Sequence, residues 1–114
     1  MNTRSERPWG WYEILLTRPE MQIKRIHIDA GKRLSLQSHT KRSEHWLITS
    51  GTAKVTVDEQ EFEFKNGNAI TILVGEKHRV EALGEDDVEF IEIQQGTYFG
   101  EDDIVRYDDD YGRA

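Results

Sequence analysis

An all-β fold, a single antiparallel sandwich or barrel, is what this sequence predicts. Three observations predict it. Helical periodicity is nearly absent. About nine short apolar-alternating or β-branched runs recur along the chain, each of strand length. Turn material separates them: "DAGK", "SGT", "VDEQ", "KNGN", "VGEK" and "LGEDD". The 114 residues fit one domain, 1–114, with one modest core.

Taken in order, the first eight residues are expected to be mobile. "WGWYEILL" and "MQIKRIHI" then read as strands. "RLSLQSH" alternates from Arg33 to His39. A period of two puts Arg33, Ser35, Gln37 and His39 on one face, and Leu34 and Leu36 on the other. After the turn "TKRS", Glu44 begins the next strand, with Trp46 and Ile48 on its face and His45 opposite. "TAKVTVD", "QEFEFKN", "NAITILVG", "HRVEALG" and "VEFIEIQQG" complete the run of strands. "GEDDIVRYDDDYGRA" differs in character and reads as a short helix or a charged tail.

The net charge is −7, from 15 basic and 22 acidic residues. An acidic chain lacks the basic footprint of general nucleic-acid binding. Without cysteine there is neither a disulfide framework nor thiolate chemistry. No apolar run approaches the roughly 18 residues that span a bilayer. "MNTRSERPWG" lacks the apolar core of a signal peptide. A cytoplasmic enzyme or binding protein is the expectation, with no nucleic-acid or membrane partner.

Coordinating side chains cluster in "LSLQSHTKRSEHW". Gly31, Gln37, His39, Glu44 and Gly51 stand at spacings that resemble the first motif of the cupin superfamily, with Gln37 in place of its first histidine. Gly67, Gly75 and His78 fall in register with the second cupin motif, while Leu73 and Ala82 replace its proline and asparagine. The resemblance implies a jelly-roll barrel that brings the two motifs together at its mouth. Two imidazoles, a carboxylate and an amide oxygen suit one divalent ion of borderline hardness: zinc, manganese, cobalt, nickel or iron. Gln37, His39, Glu44 and His78 are therefore the candidate metal ligands.

Three segments resemble one cupin family more closely: "RPWGWYEIL", "LSLQSHTKRSEHWLITSGTAKVT" and "GTYFGEDDIVRYDDDYGR". They are similar to the C-terminal domain of type II mannose-6-phosphate isomerases, bifunctional enzymes that join a mannose-1-phosphate guanylyltransferase to a cupin isomerase. That family uses glutamine at the position of Gln37. No Gly-rich, nucleotide-cradling segment precedes the first strand, so no guanylyltransferase domain is expected and nucleotide transfer is not carried over.

The resemblance implies interconversion of mannose 6-phosphate and fructose 6-phosphate through a cis-enediol. Such a reaction needs a Lewis acid, a base for the carbon-bound proton, and cations for the phosphate. Arg106 is the candidate for gripping phosphate and steadying the enediolate. Arg33, Lys41, Arg42 and Arg113 are further substrate-binding candidates. For the base, the candidates are Glu92, His45, and Asp103 or Asp109 folded back over the mouth. His27 reads as structural and Trp46 as core. Trp9 and Trp11 flank Gly10 and, with outward Leu34 and Leu36, point to pairing as a homodimer. Two rival classes remain open. A non-haem Fe(II) dioxygenase would use His39, Glu44 and His78 alone. A non-catalytic sugar-phosphate-binding cupin would keep the metal and the arginines without a base.

Overall fold

The computed structural model describes residues 3–113. Eleven strands follow one another: β1 (Arg4–Arg7), β2 (Gly10–Thr17), β3 (Met21–Ile28), β4 (Leu36–Ser38), β5 (Arg42–Ser50), β6 (Thr52–Val57), β7 (Gln60–Phe64), β8 (Ala69–Ile72), β9 (His78–Leu83), β10 (Val88–Gly96) and β11 (Val105–Asp108). They form two antiparallel sheets, one of six strands in the order β1-β2-β3-β10-β5-β8 and one of five in the order β11-β4-β9-β6-β7. This is the expected all-β jelly roll, and no helix occurs among the described residues.

Strict alternation builds the facing walls. β3, β5 and β10 bury every second residue, because their side chains point alternately into and out of the barrel. Ile26, Ile28, Ile48 and Phe90 from the larger sheet meet Val55, Val80 and Ala82 from the smaller one. Gly51 turns the chain from β5 into β6 at φ 81°, and a Cβ there would lie 2.2 Å from the Asp87 carbonyl oxygen. Only glycine fits both conditions. Gly96 pairs with Arg42, and a Cβ on it would meet the Lys41 carbonyl oxygen at 2.2 Å. That close approach holds Arg42 at the barrel mouth.

Three expectations are corrected, and part of the N-terminal stretch is seen to be paired. Arg4–Arg7 form an edge strand, paired in register from Arg4↔Glu13 to Arg7↔Gly10. Guanidiniums of Arg4 over Trp11 (3.9 Å) and Arg7 over Tyr12 (5.0 Å) fasten it. Met1 and Asn2 of the expected mobile stretch lie outside the described residues. The acidic end holds a strand, β11, which pairs with β4 at Val105↔Ser38 and Arg106↔Gln37. Its pattern is too short to show among so many aspartates. Trp9 lies in the core rather than at an interface, and Trp11 stacks on His27 at 5.0 Å. Finally, period two fails between Arg33 and Gln37. Only Leu36–Ser38 form a strand, Arg33 makes an isolated bridge to Glu81, and the stretch between lies off the ladder. Leu34 therefore packs in the core instead of facing outward.

Candidate metal centre and anion pocket

Pairing places the site. On the smaller sheet Arg106, Gln37 and His78 stand opposite one another across β11, β4 and β9. Directly opposed residues share a face. On the larger sheet Gln94 stands between Glu44 and Gln22, and Glu92 between Trp46 and Lys24. The two rows face each other at one end of the barrel.

His39, Glu44 and His78 converge there, each offering a donor atom within 4.8 Å of the others, and all three are buried. His39 Nε2 lies 3.2 Å from Glu44 Oε2, and His78 Nε2 lies 3.6 Å from Glu44 Oε1. Each ring is oriented by its other nitrogen. His39 Nδ1 donates to the Asp103 carbonyl oxygen (2.6 Å) and His78 Nδ1 to that of Glu76 (3.0 Å). A carbonyl only accepts, so both Nε2 atoms carry lone pairs toward the glutamate. Burial, with the Arg42 guanidinium beside it, pushes the His39 imidazole down to about 4, and burial lowers His78 as well. Both rings are neutral at pH 7, the form that binds metals. His78 Nε2 is buried without a hydrogen-bond partner. Two lone pairs beside one carboxylate make a donor set that fits a divalent cation. Gln37 stands opposite His78 and lines the adjoining pocket.

That pocket encloses about 540 Å³ of empty space, part of it open to solvent. Five cationic residues line it, Arg7, Lys24, Arg42, Arg106 and Arg113, against two carboxylates, Glu92 and Glu101. In a chain of net charge −7 this is a local reversal of sign, suited to an anion. Arg42 donates from Nε to Glu44 Oε2 (2.9 Å), and its Nη2 lies 3.2 Å from His39 Nε2. Burial works against its charge, but Glu44 and Glu92 outweigh that and raise its pKa. Arg106 is lowered by burial and by the nearby Arg113. Arg42 Nη1 and Arg106 Nε are buried without partners.

Glu92 lies between metal centre and pocket. Trp46 Nε1 donates to both Glu44 Oε1 and Glu92 Oε1 (3.1 Å each), and Gln94 Nε2 donates to Glu92 Oε2 (2.9 Å). Burial, then the Glu44 carboxylate, pushes Glu92 up to about 7. Gln22 Nε2 extends the network to Gln94 Oε1 (3.1 Å).

Three sequence candidates fall elsewhere. His45 faces outward and shares a hydrogen bond with Thr71 Oγ1 (2.8 Å), as parity on β5 requires. Arg33 is held by Asp110 through Nε (2.8 Å) and Nη2 (2.9 Å), because the chain slips parity before Gln37. Lys41 is exposed, with its ammonium 5.0 Å from the Tyr98 ring. Asp109 is engaged by Arg113 and Asp103 by Thr40 and Lys41, so neither carboxylate hangs free over the mouth. Lys24 and Arg7 were missed. Lys24 is buried and donates to Glu101 Oε1 (2.5 Å). Its inward neighbours on β3 run Gln22, Lys24, Ile26, Ile28, and the polar-then-apolar sequence was the available sign.

The segment after β10 straps the two sheets together across this mouth. Glu101 meets Lys24, Asp103 meets His39 and Thr40, Tyr107 meets Ser38, and Asp110 meets Arg33.

Comparison with known proteins gives the family and the fold. Residues 1–109 match the family model described as mannose-6-phosphate isomerase C-terminal. The chain is 45% identical over 108 residues to the xanthan biosynthesis protein XanB of Xanthomonas campestris, covering 95% of this chain and 23% of that protein. It is 43% identical over 107 residues to a mannose-1-phosphate guanylyltransferase of Salmonella montevideo, covering 94% and 23%. The chain thus spans about a quarter of the length of these relatives. The fold is similar to oxalate decarboxylase from Bacillus subtilis, with a TM-score of 0.82 and 18% identity over 93% of this chain and 30% of that one. This jelly roll is a cupin, and the chain belongs to the mannose-6-phosphate isomerase C-terminal family.

Proposed function

We propose that the chain is a metal-dependent sugar-phosphate isomerase domain that interconverts mannose 6-phosphate and fructose 6-phosphate, in the metabolism that supplies activated sugars to polysaccharides. One observation carries the reading. Among the described residues, three buried side-chain atoms lack a partner, and all three belong to this mouth: His78 Nε2, Arg42 Nη1 and Arg106 Nε. The first is a lone pair waiting for a cation, and the other two are donors waiting for an anion. A phosphorylated substrate beside a divalent ion would satisfy all three.

Gln37, His39, Glu44 and His78 would hold the ion. It would supply Lewis-acid stabilisation of oxygen charge at C1 and C2. Arg106, Arg113 and Arg7 would grip the phosphate, and Lys24 would add charge to the same wall. The Glu92 carboxylate would take the proton from C2 of the open-chain aldose, leaving the enediolate with its charge on O1. Passage of the C2 hydroxyl proton to O1, and delivery of the carbon-bound proton from Glu92 to C1, give the ketose and restore the carboxylate. Trp46 and Gln94 keep the carboxylate aimed into the pocket. The five pocket cations also weigh against an oxygenase, which needs no phosphate clamp. In this proposal the domain acts in the cytoplasm, and homodimer formation is tested by sedimentation.

The deciding assay follows fructose 6-phosphate formation from protein loaded in turn with zinc, manganese, cobalt, nickel and iron. Turnover with at least one metal is expected, and Glu92→Gln should remove it while sugar-phosphate binding persists. Tight binding without turnover for every metal overturns the isomerase and leaves a sugar-phosphate-binding domain.

A further inference from the structure

A second set of coordinating side chains lies away from the mouth. On β3 the inward residues are Gln22, Lys24, Ile26 and Ile28, so His27 faces outward. It is five residues beyond Gln22, which stands in the row of Glu44. That is about 17 Å along the strand, on the other side of the sheet. Asp29 follows β3 directly, and Asp87 directly precedes Val88, the partner of Ile28. Pairing of β3 with β10 thus sets a carboxylate on either side of the imidazole.

The distances are those of a cluster. His27 Nε2 lies 3.0 Å from Asp87 Oδ2 and 3.6 Å from Asp29 Oδ1, and the three donor atoms lie within 4.8 Å of one another. On the far side of the ring, Nδ1 lies 2.6 Å from Glu89 Oε2. A carboxylate only accepts, so Nδ1 carries the hydrogen there. In the neutral ring Nε2 then presents a lone pair to two anionic oxygens. Three acceptors facing one another repel unless a cation sits among them. A proton on Nε2 would serve Asp87 but leave Asp29 too distant for a hydrogen bond. A metal ion would engage all three at once. The Glu89 contact is the carboxylate–imidazole relay that orients metal-binding histidines. Glu89 is itself balanced by Arg25, 2.8 Å away, and Trp11 stacked 8° from parallel fixes the plane of the ring. Among the described residues the lysine or arginine paired with Asp29 is Lys32, 4.0 Å away on an exposed stem.

We infer that His27, Asp29 and Asp87 form a second divalent-metal site, for a transition ion of the zinc class, separate from the barrel mouth. It clips the turn after β3 to the turn before β10 and takes no part in the chemistry of the pocket. The inference does not rest on the isomerase reading.

The test uses untagged protein equilibrated by dialysis against micromolar zinc, with metal and protein quantified in the same sample. The wild type should hold about two zinc ions per chain. Asp29→Asn/Asp87→Asn should lose one of them, and His78→Ala should lose the other. The Asp87→Asn change retains a side-chain oxygen for the backbone N–H of Ala30, which Asp87 now accepts at 2.7 Å, so the turn is kept. Asp29→Asn alone should weaken the outer site by at least the ~10-fold that loss of a mere outer partner costs. Copper(II) gives a second readout, because an ion on His27 should quench the fluorescence of Trp11, and the double variant should lose that part of the quenching. A wild type whose only zinc is removed by His78→Ala, with the double variant unchanged, overturns the inference. A wild type whose only zinc is removed by the double variant supports this site and counts against the metal at the mouth.

Discussion

The inner face of the larger sheet has two halves that share strands, pairing and burial but not chemistry. At one end Ile28, Val88, Ile26, Phe90 and Ile48 close a dry core. At the other, the same three strands bury Gln22, Lys24, Glu92, Gln94, Glu44 and Arg42. Burying apolar area stabilises the fold, at roughly 25 cal/mol per Å². Burying polar groups costs free energy unless each finds a partner. The polar half meets that demand through its network, except at Arg42 Nη1, and facing it from the smaller sheet His78 Nε2 and Arg106 Nε are likewise without partners. One half therefore carries the fold, and the other spends part of that stability on keeping unpaired groups ready.

Substitutions can break or sharpen that division. The largest effect belongs to His78→Ala, which should abolish metal binding at the mouth while circular dichroism still reports a folded barrel. Metal retained at that centre would break the assignment. Next is Phe90→Ala in the dry half, which should destabilise by ~3–5 kcal/mol in denaturant titration. If the variant is kept folded at low temperature, its metal content should be unchanged. Arg106→Ala should do the reverse. Hydrogen bonds to charged groups are worth roughly 1.5–3 kcal/mol, so kcat/KM for the sugar phosphate should fall at least about tenfold. Its stability should hold or rise, since a buried guanidinium nitrogen without a partner is removed. A rise in KM at steady kcat would confine Arg106 to phosphate binding, and a fall in kcat would add the enediolate. The smallest effect should come from His45→Ala on the outer face, within about 0.5 kcal/mol in stability and without change in kcat/KM. A large loss of activity there would undo the division between inside and outside.

The dry half was legible in the sequence, and the polar half only in part. Alternating β-branched and aromatic residues announce strands whichever end of the barrel they line. His39, Glu44 and His78 were found because ligand chemistry restricts them to few residue types at fixed spacings. Lys24 was not, because both faces of β3 mix polar and apolar side chains and parity alone cannot choose between them. The polar-then-apolar run of β3 becomes decisive when β3, β5 and β10 are aligned antiparallel and their polar ends coincide. Arg33 was misplaced because a period of two assumes an unbroken ladder, and the chain leaves the ladder between Arg33 and Leu36. β11 was hidden because its four residues pair through backbone, which an acidic composition does not advertise.

The strap across the mouth has a consequence for the order of events at the ribosome. Residues 97–113 are made after every strand that they join. Chains grow at about 5–20 residues per second, so the strap trails the completed β10 by on the order of a second. During that interval His39 lacks the carbonyl that fixes its ring, Lys24 lacks Glu101, and the pocket has neither Arg106 nor Arg113. A free chain truncated before Thr97 should pair its strands yet capture no sugar phosphate, while a chain that includes Arg113 should capture it. The architecture thus delays competence until the barrel that must support it has been built.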